Sequence, residues 1–366
     1  MRRRKPLTNP DTPISCQSRD NCEGNLIVFE GEIYVLGPKI KLEFLSCAGM
    51  GAFGCVYEVR NLYNGKKYAL KIGNSKCSKV IVNEAVIMSK ISSLLNKSES
   101  RHVVQMYGPL KYCGHECILY ELLSVNMYEL IEFRKFTGLP IQYVQLYSRQ
   151  ICHALNSIHS INFVHLDIKP ENILFTDSTF KEVKLTDFGN ARVYDHNKIS
   201  YCVTRYYRPP EIVLGLEFTN KSDVWSMGCL IAEILQGNPI FPGQNELHLL
   251  ELMQKRVGKK IPKSLIKRSP RRKEFFNDRN ELITEKEFCV NHKIQSKSSD
   301  IQSLHSKFFD WSIREFFDSV PDGNNPNVRN AINELYDLVT HMLEFEPEKR
   351  WSIADVMEHC FFKLSL

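Results

Sequence analysis

An α+β fold is predicted, with a small β-rich lobe followed by a larger helical one, and three observations predict it. The stretches Leu42 to Cys47, Cys55 to Val59 and Tyr68 to Ile72 are short β-prone segments, bounded by a glycine-rich turn and by Asn64-Gly65. Beyond about Met127 the apolar residues recur at the helical period, as in Ile151, Ala154, Leu155 and Ile158 at i, i+3, i+4 and i+7. Finally, 366 residues exceed what one hydrophobic core usually fills, so two lobes are expected.

In chain order, residues 1 to about 25 are polar, carry Pro6, Pro10 and Pro13, and read as a flexible extension. Leu26-Ile-Val-Phe29 and Ile33-Tyr-Val-Leu36 flank Glu30-Gly31-Glu32 and read as a short hairpin, completing an N-terminal extension over 1–40. The strands belong to a first lobe over about 41–123, whose first helix runs from Lys79 to Ile91 with Val82, Val86 and Met88 among its apolar residues. The second lobe covers about 124–362. Within it Val224, Trp225, Met227, Leu230, Ile231, Ile234 and Leu235 wrap most of a helix, the pattern of a buried one. Residues 255 to about 310 are basic and then mixed, with Pro262 and Pro270, and read as an inserted loop region. The chain has no internal repeat.

Composition narrows the class. Hydrophobic residues at 43% and charged residues at 25% match an ordinary soluble globular protein. The net charge of +6 is spread along the chain and reads as a solvated surface; no concentrated basic face with interleaved aromatics points to nucleic acid. The apolar runs stop well short of a membrane span. The twelve cysteines are scattered, Cys117, Cys152 and Cys229 sit in apolar runs, and Met1-Arg-Arg-Arg-Lys5 leads into Pro6 rather than an apolar signal core. A reducing compartment, cytosol or nucleus, is expected. Cys113-Gly-His-Glu-Cys117 has the outline of a metal clip, but it lacks a second ligand pair at zinc-finger spacing and reads as a strand pair.

The chemistry begins at Gly49-Met50-Gly51-Ala52-Phe53-Gly54-Cys55-Val56, set between two strands. Glycines without Cβ let backbone N–H groups close over phosphate oxygens. A dinucleotide-binding turn or a bare hairpin would show the same glycines, but the dinucleotide turn needs a helix next, and Cys55 to Val59 alternates like a strand. Lys71 ends an apolar strand seventeen residues beyond Gly54. Alone it would be a surface lysine, and Glu84 a solvated carboxylate; together, after a phosphate-type loop, they read as an ion pair aiming the lysine at the α/β-phosphates.

The strongest signal is His165-Leu-Asp167-Ile-Lys169-Pro-Glu171-Asn172, followed by Asp187-Phe-Gly189. Phosphoryl transfer to an alcohol needs a carboxylate to accept the hydroxyl proton, a cation near the moving group and oxygen ligands for magnesium. Asp167 is the candidate base, Lys169 the cation, and Asn172 with Asp187 the metal ligands. A polar loop between helix and hairpin is the bland alternative, and it leaves this order of residues unexplained.

These motifs resemble those of the eukaryotic protein kinase family, over roughly Leu42 to Phe362. The resemblance implies a bilobal fold using ATP and Mg2+, with Tyr120-Glu121-Leu122-Leu123 as the hinge and Tyr120 as gatekeeper. It adds Ala69, Glu121, Leu123 and Leu174 to the nucleotide pocket beside 49–56, Lys71, Glu84 and Tyr120. It also pairs Glu211 of Pro209-Pro-Glu211 with Arg350, and makes Asp223 the support of the catalytic loop.

Within the family the chain is similar to the group of cyclin-dependent, MAP, DYRK and LAMMER (CLK) kinases, through Thr204-Arg-Tyr-Tyr-Arg-Pro-Pro-Glu211. LAMMER features include Gly24-Asn-Leu-Ile27, Val104-Gln-Met106, Gly114-His115, Phe275-Phe276 and Leu343-Glu-Phe-Glu-Pro-Glu-Lys-Arg350. The naming signature is eroded to His248-Leu-Leu-Glu-Leu-Met-Gln-Lys-Arg-Val-Gly258. A DYRK-like kinase is the alternative, through Glu121-Leu-Leu-Ser-Val-Asn126 and Tyr201, although Ile199 falls where that subfamily has its first activation-loop tyrosine. A non-catalytic scaffold is the alternative of another class; such proteins usually lose the lysine, the base or the metal-binding aspartate, and all three are present here.

The LAMMER resemblance implies dual specificity for Ser, Thr and Tyr, arginine/serine-rich splicing factors as substrates, and nuclear location. Glu171 resembles the acid that receives an arginine upstream of the target hydroxyl, and a bidentate contact there favours basic peptides. Thr204 lies in the expected substrate loop, and Tyr201 and Thr204 are candidate phosphorylation sites. Leu166 replaces the arginine that in many kinases anchors a phosphorylated activation loop, so weak dependence on that phosphorylation is expected. The clusters Arg2 to Lys5 and Lys267 to Lys273 would suit nuclear import. The sequence leaves oligomeric state, physiological substrate and activating signal open.

Overall fold

Alternation of side chains builds the first sheet. Strands β1 (Ile33–Val35), β2 (Lys41–Gly51), β3 (Gly54–Asn61), β4 (Lys67–Gly73), β5 (Met106–Tyr112) and β6 (His115–Glu121) pair antiparallel in the order β1-β2-β3-β4-β6-β5. One face buries Leu42, Phe44, Tyr57, Val59, Leu70, Ile72 and Leu119. Helix α1 (Ser78–Leu94) contacts β5 and β6 and buries Ile81, Glu84, Ala85, Ile87, Met88 and Ile91. Val82 and Val86, expected among its apolar positions, are exposed, because the buried stripe runs through Ile81, Ala85 and Met88.

The computed structural model describes residues 5–9, 19–36, 40–194, 203–292, 311–321 and 324–366, which fall into two units: Met1–Ser124 with Leu174–Ala191, and Val125–Ile173 with Arg192–Leu366. In the first unit the N-terminal stretch departs from the expected flexible extension and hairpin. Ile33–Val35 pairs with Lys41–Glu43, while Leu26–Phe29 lies along residues 5–8 through the Pro6–Phe29 bridge and the Leu7 N–H to Val28 carbonyl bond of 2.8 Å. Leu26 and Val28 enter the sheet's core, and fully buried Thr8 donates to the Leu26 carbonyl at 2.8 Å and shares a 2.6 Å bond with the Tyr57 hydroxyl. Burying two aliphatic side chains and satisfying the buried backbone favours this pairing over an isolated hairpin.

The second unit is mainly helical. In chain order it has α2 (Met127–Phe133), α3 (Ile141–Ser160), α4 (Pro210–Val213), α5 (Asn220–Gln236), α6 (Glu246–Val257), α7 (Lys263–Arg268), α8 (Arg272–Phe275), α9 (Glu285–His292), α10 (Ile313–Asp318), α11 (Pro326–Met342) and α12 (Ile353–Met357). It also holds a small ribbon of β7 (Phe163–Val164) with β10 (Arg192–Val193); a second ribbon, β8 (Ile173–Phe175) with β9 (Val183–Leu185), falls in the first unit from Leu174 onward. Helix α5 is buried from Ser222 through Leu235, as its apolar wrap predicts. It opens with a capping box of Thr219 and Ser222 and stops at Gly237, whose φ of 91° and approach to the Phe136 carbonyl leave no room for a Cβ. The expected loop region after residue 255 instead holds α7, α8 and α9, because Leu265, Ile266, Phe275 and Phe288 supply buried anchors. Residues 293–310 of it lie outside the described residues. Among the described residues no helix is long and apolar enough to cross a membrane.

Candidate active site

In the first unit the glycine turn is a two-residue hairpin. Gly49 opposes Val56, Met50 opposes Cys55, and Gly51 opposes Gly54, with Ala52 and Phe53 at the tip. Gly54 is a steric requirement: at φ 147° a Cβ there would sit 2.1 Å from the Ile72 carbonyl. A Cβ at Gly49 would meet nothing within 4 Å, and one at Gly51 only the Gly54 carbonyl at 3.9 Å. Packing therefore does not demand those two glycines. Their bare backbone leaves room for a ligand to approach it.

Side-chain alternation sorts the neighbouring strand residues. Cys55, Tyr57, Leu70 and Ile72 face the core, so Val56, Ala69 and Lys71 face the other side, with Val56 directly opposite Lys71 and Ala69 opposite Tyr120. Burial raises the Cys55 thiol pKa, which suits a packing role. Of the residues expected at the hinge, Glu121 binds Lys184 at 2.6 Å and accepts the Gln105 N–H, while Leu123 is half-buried; Leu174 is the middle residue of β8.

Lys71 Nζ lies 2.7 Å from Glu84 Oε2 and 3.1 Å from Asp187 Oδ1. Burial would lower the ammonium's pKa, but Glu84 and Asp187 outweigh it and hold the value above the ordinary lysine one. Glu84, 1% exposed on the inner face of α1, takes a second bond at Oε1 from the Tyr120 hydroxyl at 2.8 Å. Asp187 adopts a left-handed conformation (φ 59°, ψ 74°) before a 3-10 turn over Phe188–Asn190. That turn packs on α1, and a Cβ at Gly189 would lie 3.5 Å from Glu84.

The second unit holds the other polar cluster. The Asp223 carboxylate, fully buried at the start of α5, accepts the N–H groups of His165 and Leu166 at 2.8 Å each and pairs with His159 at 2.9 Å. This pins the loop that carries Asp167. Asp167 Oδ2 receives Lys169 Nζ at 2.9 Å and Asn172 Nδ2 at 3.2 Å, and Asn172 also donates to the Asp167 carbonyl at 2.8 Å. Asp167 Oδ1 receives the Thr204 hydroxyl at 2.6 Å, and Lys169 reaches the same hydroxyl at 3.2 Å. Glu211 and Arg350 form a buried bidentate pair at 2.8 and 2.9 Å, with Ser222 adding a donor to Glu211. Tyr201 lies outside the described residues.

One acid escaped sequence reasoning. Glu233 on α5 is 4% exposed and accepts the Tyr207 hydroxyl at 2.7 Å. Burial pushes its pKa up to about 8; the Tyr207 bond opposes this, and the charge of Glu171 adds to it. Glu171 itself is exposed. The Tyr128 hydroxyl is raised by burial and then by Glu132, Glu171 and Glu233, so several acids share this neighbourhood. The available signal was a glutamate inside the otherwise uncharged run Val224 to Leu235. Elsewhere, Glu334, His359 and Cys360 come close enough to hold a metal ion. However, His359 Nδ1 accepts the Phe361 N–H and Nε2 faces Asp337 at 3.1 Å, so both ring nitrogens are already used.

Oxygen-rich and ammonium groups arranged in this order suit an enzyme that handles phosphate esters. A model of the protein kinase domain matches residues 42–362. The chain belongs to the protein kinase family. Its α+β fold, β-rich N-lobe and helical C-lobe, is the one expected from the sequence. It is 28% identical over 381 residues to dual specificity protein kinase YAK1 of Saccharomyces cerevisiae, covering 98% of this chain and 46% of that protein. It is 29% identical over 365 residues to dual specificity protein kinase CLK1 of Homo sapiens (94% and 70%). It is 33% identical over 279 residues to dual specificity tyrosine-phosphorylation-regulated kinase 2 of Drosophila melanogaster (75% and 37%). The chain thus spans less than half the length of the YAK1 relative. These identities support CLK-like and DYRK-like kinases equally, so the preference for the LAMMER subfamily drawn from the motifs is not upheld over its alternative.

Membership implies use of ATP with a divalent metal, and the residues present fit both. Gly49 and Gly51 leave uncrowded backbone, Lys71 offers an ammonium, and Asn172 and Asp187 offer hard oxygen donors of the kind such ions take.

Proposed function

We propose that this chain is a dual-specificity protein kinase that transfers the γ-phosphoryl group of ATP to Ser, Thr and Tyr hydroxyls. The observation that carries the reading is the Asp167 cluster: one loop carboxylate, 4% exposed, with Lys169, Asn172 and Thr204 gathered on its oxygens. Asp167 takes the acceptor hydroxyl's proton, and Lys169 steadies the negative charge beside it. Lys71, oriented by Glu84, receives phosphate oxygens beneath the 49–56 turn. Asn172 and Asp187 would each offer a hard oxygen ligand to the metal, a donor chemistry that favours Mg2+. A bound Mg2+ ion neutralises charge on the phosphate groups.

Replacing Asp167 by Asn is expected to lower the chemical step by roughly 10²–10⁴-fold while sparing ATP affinity. Single-turnover transfer to a mixed protein extract, with nucleotide binding measured separately, checks this. A variant that retains full transfer would remove the reading.

Arginine-bearing segments, such as those of arginine/serine-rich splicing factors, are the proposed substrate class. Exposed Glu171 supports this, with exposed Glu132 and buried Glu233 in the same neighbourhood. A DYRK-like specificity is the alternative. For Thr204 we propose the substrate-loop role over the phosphorylated one, since a phosphate there would stand against the Asp167 carboxylate. The basic clusters, with the family resemblance, are the grounds for proposing nuclear location, and Tyr201 remains the proposed autophosphorylation site.

A further inference from the structure

We propose that Tyr120 is a positioning residue whose hydroxyl, and not only its ring, holds Glu84 in the orientation that pairs with Lys71. The inference rests on the phosphotransfer reading above. Tyr120 stands on β6 opposite Ala69 and is 9% exposed. Glu84 is 1% exposed and has one donor on each carboxylate oxygen, Lys71 on Oε2 at 2.7 Å and Tyr120 on Oε1 at 2.8 Å. A carboxylate removed from water needs its oxygens hydrogen-bonded, so a lost donor favours rotation of the group toward another. Here rotation would draw Oε2 away from a lysine that is also held by Asp187 at 3.1 Å. Lys71 would then shift toward Asp187, away from the place where it meets phosphate.

Burial raises the Tyr120 phenol well above its ordinary value, and Glu84 adds to the shift, so the hydroxyl keeps its proton at physiological pH and can only donate here. The bond also ties α1 to the last strand before the hinge. Hydrophobic contacts of Ile81, Ala85 and Met88 hold the helix in place, but none of them sets the rotation of the carboxylate. Phenylalanine would fill the same volume without the donor, which separates the hydroxyl's role from that of the ring.

The test measures kcat and KM for ATP and for a peptide acceptor in wild-type protein, Tyr120→Phe, Glu84→Gln and the double variant. Tyr120→Phe is expected to lower kcat/KM for ATP roughly tenfold, the loss of a hydrogen bond to a charged group. The peptide KM should be unchanged. In the Glu84→Gln background, where the buried charge is gone and folding is protected, the same change is expected to cost less than about threefold. The inference is overturned if Tyr120→Phe stays within twofold of wild type, or if its loss is undiminished beside Glu84→Gln. Wild-type protein that transfers no phosphoryl group from ATP would instead overturn the phosphotransfer reading, and this inference with it.

Discussion

Glu233 shows how a single buried group ties stability to pH. Its ordinary pKa is 4.5 and its folded value about 8, so between those pH values the native chain holds a proton that the unfolded chain has released. The unfolded state then binds fewer protons, and this group's contribution to stability falls as pH rises through that window. At 1.36 kcal/mol per unit the fall amounts to roughly a few kcal/mol. Glu233→Gln is expected to flatten it, which denaturant unfolding at pH 5, 7 and 9 would reveal; an unchanged slope would remove Glu233 as the cause. Near pH 8 the same ionisation adds negative charge beside Glu171. Preference for arginine-bearing over proline-directed peptides should therefore rise with pH in the wild type and weaken in the variant, and a peptide array reads this directly.

Val203 to Arg208 illustrate a segment held by apolar packing and backbone contacts. Leu166, 1% exposed, clusters with Val164, Val203, Ile212 and Phe218, and Tyr194 packs against them. Buried Arg208 donates to the Val203 carbonyl through Nε at 2.9 Å and Nη2 at 2.8 Å, and pairs with Glu246 at 2.7 Å. Leu166 has a positive φ of 64°, a strained setting for leucine that the surrounding packing and the Asp223 bond sustain. An apolar anchor thus occupies the place where an arginine would need a phosphate. Phosphatase treatment is expected to leave most activity intact, and loss of nearly all activity would refute this. Leu166→Ala should cost about 2–5 kcal/mol of stability, read by denaturant unfolding.

Across the first unit, the described N-terminal residues 5–9 and 19–29 are part of the packed body. Leu26 and Val28 fill the sheet's core, Thr8 bridges Leu26 and Tyr57, and His115 pairs with Asp20 at 2.9 Å. Removing residues 1–29 strips three buried aliphatic side chains, Leu26, Ile27 and Val28, worth about 1.5–3 kcal/mol each, and exposes the face they cover. The truncated protein is expected to melt several degrees lower. An unchanged melting temperature would show that the stretch contributes nothing to the fold. The second unit relies on long-range polar ties, chief among them the Glu211–Arg350 pair, whose partners stand 139 residues apart.

Local order along the chain was enough to read the strands, the buried helix α5, the glycine hairpin, and the lysine, base and metal-ligand candidates. Each of those depends on spacing of a few residues or on the period of a single element. What spacing could not convey came from packing between distant segments. The pairing of residues 5–8 with 26–29 arises because the sheet offers an apolar face to cover. The exposure of Val82 and Val86 follows from which side of α1 meets the sheet. The clustering of Val203 on Leu166, the Tyr120 bond to Glu84 and the raised Glu233 depend on burial, and burial is a property of neighbours remote in sequence. Residue identity supplied the chemistry, and removal of particular groups from water settled which of them lie together.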